Sequence, residues 1–339
     1  MVLNFRETRP VWSAPDAVLA RIASAFPRDW IVEIVRARAD GRGDGGAVSD
    51  EALAAVRNAE VYMGFGAPVD ILRAASPTLR WVHTGTAGVG ALLYPEMRAA
   101  DVILTNSAGV HAPPIADTVM GMILHFARGM DHAVHAQARA VWDSAPFERA
   151  LDGTIFELAG ATLGLIGTGG IGHEVAKRAI ALGMRVNAVR RSDAPGPDGV
   201  AMLRGDDALA HLLEGSDVVL VAVPSTGATR GLLDRAALGR LRRNAILINV
   251  SRGDVIDEDA LATILRTGRI RGAALDVFRT EPLPPESPLW NLSNVLITPH
   301  VSGITPRFWE REATLILDNI ARYLSSQPLR NVVDKQAGY

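Results

Sequence analysis

The chain has 339 residues, 48% of them apolar, a formal net charge of -2 and no cysteine. That length and apolar content suffice for two ordinary domains, while the near-neutral charge gives no bulk attraction to nucleic acid. The lack of cysteine excludes disulfides, thiol nucleophiles and thiolate metal sites. No apolar run is long enough for a signal peptide or a bilayer span, so a soluble, cytoplasmic protein with no membrane partner is expected.

In chain order, Val2–Phe5, Trp30–Val35, Val61–Phe65, Leu79–His83 and Val102–Thr105 read as strands. Helical spacing occupies Ala17–Phe26, Glu51–Asn58 and Asp70–Ala75 between them. Residues 40–49 are rich in Gly and Asp and read as loop. This alternation predicts a small α/β domain with a parallel sheet. After a polar passage at Asn106–Pro114, the apolar stretch Ile115–Arg128 is predicted as a buried helix, rich in Ala, Met and Leu. Ala133–Trp142 continues helically, and Phe147–Leu158 reads as loop.

Thr162–Ser192 carries the clearest signal. An apolar strand at Leu163–Ile166 runs into Gly167, Gly169 and Gly172 in G-x-G-x-x-G spacing. A helical pattern, a stop at Gly183 and a second strand at Arg185–Val189 follow. In such a unit the first glycine permits a tight turn, the second lets backbone approach a pyrophosphate, and the third lets helix pack on strand. The helix N-terminus adds free N–H groups for an anion. The other reading is a glycine-rich turn without a ligand. Val218–Val223, Ala245–Val250, Ala273–Val277 and Val295–Ile297 are four more apolar strands. Ala208–Glu214 and Glu258–Arg266 are crossover helices, with Gly268 as a C-cap. Six short strands, mostly apolar on both faces, predict a sheet covered by helices on both sides. The last helix, Trp309–Leu324, has no strand of this sheet to serve and is expected to fold back onto the first domain. The expected division is 1–105 with 302–339 as substrate domain, and 106–301 as dinucleotide-binding domain.

Ligands of open α/β sheets bind beyond the carboxyl ends of the strands. The polar residues there are Pro224–Ser225–Thr226, Ser251–Arg252–Gly253, Asp276, Glu281 and His300. Hydride transfer to a carbonyl leaves an oxygen that needs a proton, which a histidine can give near neutral pH. A neighbouring carboxylate raises that histidine and fixes its tautomer, and arginine is the preferred partner of a planar carboxylate. Arg252, Glu281 and His300 therefore fit reversible oxidation of a 2-hydroxy acid. Their ordinary readings are a strand-end arginine, a loop glutamate and a structural histidine. No ligand spacing supports a metal site.

The motifs NSAGVHAPPIAD (106–117), GLIGTGGIG (164–172), VPSTGATRGLL (223–233), INVSRGDVIDEDAL (248–261), ALDVFRTEPLP (274–284) and TPHVSG (298–303), in this order, resemble those of the D-2-hydroxyacid dehydrogenase family. The resemblance implies an α/β fold of two Rossmann-like domains with doubly wound parallel sheets, the nucleotide domain inserted into the substrate domain. It implies a homodimer formed through the helical region 112–140. It assigns Arg252 to the substrate carboxylate and carbonyl, Glu281 to pairing with the histidine, and His300 to acid/base catalysis. Cofactor contacts are implied for Gly167, Thr168, Gly169, Gly170, Ile171, Gly172, Val223, Pro224, Thr226, Thr229, Val250, Ser251, Asp276 and Ser302. In this set, Asp276 matches the residue that bonds the nicotinamide carboxamide. The loop Thr86, Ala87, Gly88 and Val89 would grip the substrate carboxylate through its amides. Trp142, Trp290 and Trp309 would lie near the C2 substituent or belong to the core.

The sequence departs from the family at Asp117, often Glu, and at His111, often Asn or Ser. A larger departure concerns the cofactor. Where NAD-dependent members place an acid at the end of the second strand, this chain has Arg190, followed by Arg191 and Ser192. Arginine accepts a 2′-phosphate that an acid would repel. NADP(H) is therefore the expected cofactor, with NAD(H) also usable and Asp193 a late substitute acid. A solvated arginine pair is the alternative. A small 2-keto or 2-hydroxy acid is the expected substrate, glyoxylate and hydroxypyruvate among the candidates. A dinucleotide-sensing regulator, or an oxidoreductase acting on formate or phosphite, are the rival readings on the same fold.

Overall fold

The computed structural model describes residues 1–39, 48–75, 77–148, 152–193 and 195–338. The predicted loop 40–49 falls outside these residues except for Val48 and Ser49. The chain divides into two compact units, Met1–His111 with Ile304–Tyr339, and Ala112–Gly303. The second is thus an insertion in the first.

The first unit runs β1 (Val2–Asn4), α1 (Asp16–Ala23), β2 (Glu33–Ile34), α2 (Asp50–Val56), β3 (Val61–Gly64), α3 (Val69–Ala75), β4 (Trp81–Thr84), α4 (Pro95–Ala99) and β5 (Ile103–Asn106). Its strands form a parallel sheet in the order β2-β1-β3-β4-β5. Ser49 caps α2, its hydroxyl accepting from Ala52 N at 3.2 Å.

The second unit runs α5 (Ala112–Ala127), α6 (Met130–Ala138), α7 (Ala145–Glu148), β6 (Thr162–Ile166), α8 (Gly170–Ala181), β7 (Arg185–Val189), β8 (Val200–Met202), α9 (Ala208–Gly215), β9 (Val218–Val221), α10 (Arg235–Gly239), β10 (Ile246–Asn249), α11 (Glu258–Arg266), β11 (Gly272–Leu275) and β12 (Val295–Ile297). Its parallel sheet has the order β12-β11-β10-β9-β6-β7-β8, with apolar clusters on both faces. The direction of winding reverses between β6 and β9, the switch point at which such sheets bind ligands. The last helix, α12 (Phe308–Leu324), returns to the first unit. There Phe308, Trp309, Ile316 and Ile320 pack with Leu3, Phe5, Leu19 and Ile22.

Several elements differ from expectation. The sheet of the second unit has a seventh strand, β8, after the Pro- and Gly-containing stretch 195–199; it is short and only half-buried. The helical region after Ile115 breaks at Gly129, which takes a φ of 68° and separates α5 from α6. The expected loop 147–158 overlaps α7, and α10 carries too few residues to show a helical period.

Candidate active site

The glycine-rich loop joins β6 to α8 at the switch point. Gly167 has a φ of 101°, and a β-carbon there would stand 2.5 Å from the Ala222 carbonyl oxygen beyond β9. A β-carbon on Gly172 would stand 2.3 Å from the Gly167 carbonyl oxygen. Both positions therefore exclude any side chain, one by turn conformation and both by close approach. Gly169 differs, since a β-carbon there would meet nothing within 4 Å. It stands at the N-cap of α8 and leaves open space before the helix amides. Thr168 Oγ1 is buried without a hydrogen-bond partner among the described residues. An orphaned hydroxyl beside open amides fits a pyrophosphate.

Next to this loop is a cleft of about 300 Å³ lined by Thr168, His173, Arg190, Pro195, Gly196, Pro197 and Asp198. Arg190 follows β7 directly and reaches the Pro195 carbonyl at 3.2 Å. Arg191 and Ser192 are exposed beside it. Asp193 is paired with Arg204 at 2.6 Å, which leaves its carboxylate engaged elsewhere. Pro224–Thr229 forms a closed turn, with Thr229 Oγ1 accepting from Thr226 N at 2.8 Å and donating to Pro224 O at 2.5 Å.

Three strand ends of the second unit bring the remaining candidates together. His300 Nδ1 lies 2.8 Å from Glu281 Oε2, while Glu281 Oε1 accepts from Phe278 N at 2.9 Å. Each carboxylate oxygen thus has its own donor. The Glu281 hydrogen bond raises the His300 pKa above the ordinary range, against the opposing effect of burial. Burial pushes the Glu281 carboxyl up, but hydrogen bonds from His300 and Phe278 N outweigh it and hold the carboxyl low. Arg252 is near enough to act electrostatically on both groups. Its guanidinium donates to Ser251 O at 2.7 Å.

The backbone supporting these groups is held by a second set of buried polar residues. Asn249, buried at the end of β10, donates to Arg252 O at 2.9 Å and accepts from Ser251 N at 3.0 Å and Ser251 Oγ at 2.8 Å. Neither Asn249 nor the close packing at Gly253 was apparent in the sequence; the INVSRGD motif was the available signal. Asp276 is buried, and its carboxylate accepts from Thr298 Oγ1 at 2.6 Å, Val301 N at 2.9 Å, and the amide and hydroxyl of Ser302. Both oxygens are therefore occupied by the His300 loop, and a carboxamide contact would be additional to these bonds. His300 itself has a φ of 55°, an uncommon conformation for a non-glycine residue, held by its amide donating to Asp276 O at 2.9 Å. Val250 and Ser251 are buried beside this loop.

In the first unit, Thr86–Val89 follows β4. Trp309 lies in the aromatic core against Phe5, Phe65 and Phe308, so it is a packing residue of that unit. Trp290 is half-exposed and donates to Pro284 O, and Trp142 is fully exposed. His111 stacks on Phe308 with ring centroids 5.1 Å apart, and Asp117 pairs with Arg178 at 2.8 Å. Among the described residues, no group of three or more acidic or histidine side chains is arranged to hold a metal ion.

The sequence pattern of the D-isomer specific 2-hydroxyacid dehydrogenase NAD binding domain matches residues 120–302. The chain belongs to the D-isomer specific 2-hydroxyacid dehydrogenase family. It is 34% identical to a glyoxylate reductase of Korarchaeum cryptofilum, over 77% of this chain and 78% of that one. Identity to glyoxylate/hydroxypyruvate reductase B of Pectobacterium atrosepticum is also 34%, over 83% of this chain and 88% of that one. A D-isomer specific 2-hydroxyacid dehydrogenase from Xanthobacter autotrophicus, solved with NADPH and MES, superposes with a TM-score of 0.80 and 30% identity, covering 100% of this chain and 99% of that one. As a member of this dehydrogenase family, the protein is an oxidoreductase with a dinucleotide-binding fold, acting on hydroxy-acid or keto-acid groups. None of its helices, among the described residues, is long and apolar enough to cross a membrane.

Proposed function

We propose that the protein reduces small 2-keto acids to D-2-hydroxy acids and catalyses the reverse oxidation, with NADP(H) preferred over NAD(H). Glyoxylate and hydroxypyruvate are among its proposed substrates, in keeping with the activities named for its Korarchaeum and Pectobacterium relatives. The observation that carries this reading is the His300–Glu281 pair, 2.8 Å apart at a sheet edge within electrostatic reach of Arg252.

A nicotinamide cofactor, when bound, would supply or take up the hydride. In reduction, His300 Nε2 gives a proton to the carbonyl oxygen as C2 becomes an alcohol carbon; in oxidation it takes that proton back. Glu281 keeps the Nδ1 proton in place and stabilises the imidazolium. Arg252 holds the carboxylate and the neighbouring carbonyl oxygen with its planar fork. Gly167–Gly172 receives the pyrophosphate, Arg190, Arg191 and Ser192 the 2′-phosphate, and Val223, Pro224, Thr226 and Thr229 the adenosine side. Val250, Ser251, Asp276 and Ser302 border the nicotinamide, Asp276 chiefly by holding the His300 loop.

The Thr86–Val89 loop is assigned to the substrate carboxylate. Donors hold the carbonyls of Thr86, Ala87 and Gly88, whereas the amides of Ala87 and Gly88 meet no acceptor among the described residues. Such a loop offers donors to an anion. A homodimer through 112–140 is supported by exposed Leu124, Met130 and Val134 in that region.

The test is NADPH oxidation with a panel of keto acids, alongside His300→Ala. The variant should lose reduction while calorimetry shows NADPH affinity unchanged. Turnover of no keto acid by the wild type, or an unchanged kcat in the variant, contradicts the assignment.

A further inference from the structure

Under the Thr86–Val89 loop, within the first unit, runs a buried line of polar side chains that the reaction itself does not use. Trp81 Nε1 donates to Thr105 Oγ1 at 2.8 Å, Thr105 Oγ1 lies 2.9 Å from His83 Nδ1, and His83 Nε2 lies 2.9 Å from Glu312 Oε1 on α12. His83, Thr105, Ser107 and Glu312 each expose 0% of their surface. An indole N–H can only donate, so the Thr105 oxygen accepts from it and keeps its own proton for another partner. The His83 ring nitrogen is nearer to that proton than the alternative acceptor, Val82 O, which is 3.5 Å away. This pattern assigns the imidazole proton to Nε2, directed at Glu312.

A carboxylate removed from water is expensive to bury, and Glu312 Oε2 has no hydrogen-bond partner among the described residues. Apolar side chains of similar size would serve stability at least as well. What the pair does reach is the end of β4, from which the loop departs. Glu312 Oε1 lies 2.9 Å from Ser107 Oγ, and Ser107 Oγ lies 2.9 Å from the Thr84 carbonyl oxygen. Ser107 has one hydroxyl proton for these two acceptors. The donor that satisfies Glu312 therefore decides how firmly Thr84 O is held, and that donor is His83. Adjacent bonds complete the anchorage. Ser107 N donates to Thr86 O at 3.0 Å, Asn106 Nδ2 to Ala87 O at 2.8 Å, and Thr86 Oγ1 to Gly88 O at 2.9 Å.

We propose that His83 and Glu312 are positioning residues for substrate: acting through Ser107, they hold Thr84 O at the root of the Thr86–Val89 loop and so aim the loop amides at the substrate carboxylate. The inference rests on the assignment of Thr86–Val89 to that carboxylate.

The full-length enzyme is assayed with glyoxylate and NADPH in four variants. Ser107→Ala and Glu312→Met should raise KM for glyoxylate about tenfold with a smaller change in kcat, as expected when substrate binding is the property lost. NADPH affinity by calorimetry should not move. Glu312→Gln keeps an acceptor for His83 and should return KM to within about threefold of wild type. Ala87→Pro removes one loop amide and reports on the loop itself. A folded Ser107→Ala enzyme with wild-type KM, while Ala87→Pro raises KM, overturns the positioning role alone, even if its melting temperature falls. Wild-type KM in Ala87→Pro as well overturns the loop assignment and the inference with it. If Glu312→Met does not fold, Ser107→Ala decides.

Discussion

Gly253 lies so close to Phe278 that a β-carbon on it would stand 1.9 Å from the Phe278 carbonyl carbon. The loop after β10 thus touches the loop after β11 backbone to backbone. One carries Arg252, and the other leads into Glu281, whose carboxylate accepts from Phe278 N at 2.9 Å. Gly253→Ala must push the two apart. Because small displacements of reacting groups cost on the order of a hundredfold in rate, kcat/KM should fall by about that factor. Steady-state kinetics checks this, and near-wild-type activity would show that the loops tolerate separation.

The His300–Glu281 bond fixes a pH dependence. His300 is raised by Glu281, so its imidazolium persists to higher pH than that of a free histidine. With His300 in its proposed role, reduction needs the protonated ring and should fall as pH rises through the His300 pKa; oxidation needs the neutral ring and should rise there. Glu281→Gln removes the stabilising charge, and both limbs should move to lower pH. The measurement is kcat/KM against pH in each direction, and unshifted limbs would separate Glu281 from proton transfer.

Arg252→Lys keeps the charge but loses the fork. A carboxylate with an adjacent carbonyl needs two coplanar donors, which an ammonium cannot offer. The expected loss is at least about tenfold in kcat/KM, roughly 1.4 kcal/mol of transition-state stabilisation. A smaller loss would make Arg252 peripheral.

Much of this arrangement was legible because parallel strands buried on both faces read as short apolar runs: β9 and β10, buried throughout, lie within the runs Val218–Val223 and Ala245–Val250, and the bounds of α11 coincide with the helix read at Glu258–Arg266. β8 was not, since three residues at a half-exposed edge carry no periodicity. Arg252, Glu281 and His300 stood out as polar residues after apolar strands. The buried hydrogen bonds of Asn249 and the backbone approach of Gly253 to Phe278 did not, because side-chain bonds to backbone and contact between segments distant in sequence leave no local pattern. Trp309 stayed open between two readings: an aromatic side chain reads alike in a core and in a pocket, and the packing of Phe5, Phe65 and Phe308 around it decides for the core.

One ion pair anchors α6. Arg271 binds Asp131 bidentately at 2.8 and 2.6 Å, with side-chain exposures of 5% and 3%. Asp131→Ala strands the guanidinium and should cost about 3–5 kcal/mol of stability, read as a lowered denaturation midpoint. Burial raises the Asp131 carboxyl, but the Arg271 hydrogen bonds outweigh it and the net shift is downward. Its contribution is therefore complete above the unfolded carboxylate pKa and is lost as pH falls through the folded one. A midpoint that does not move in the variant would mean that the pair merely offsets its own desolvation.

The proposed preference for NADP(H) rests on Arg190 and Arg191. Arg190 stands where β7 ends and lines the cleft beside Thr168. Asp193, the nearest acid in sequence, is drawn to Arg204 and not toward a ribose. A charge-assisted hydrogen bond contributes roughly 1.5–3 kcal/mol, so losing one phosphate contact should weaken NADPH about tenfold to a hundredfold. NADH has no 2′-phosphate and should change far less in Arg190→Ala. Arg190→Asp combined with Arg191→Ala should invert the preference, since aspartate repels the phosphate and can bond the ribose hydroxyl. Wild-type binding of NADPH should also weaken with ionic strength more steeply than binding of NADH, because the additional contact is between exposed charges. The decisive measurement is kcat/KM and calorimetric Kd for both cofactors in wild type and variants at one glyoxylate concentration. A wild type that prefers NADH, or variants that lose both cofactors equally, would make the arginines an ordinary solvated pair.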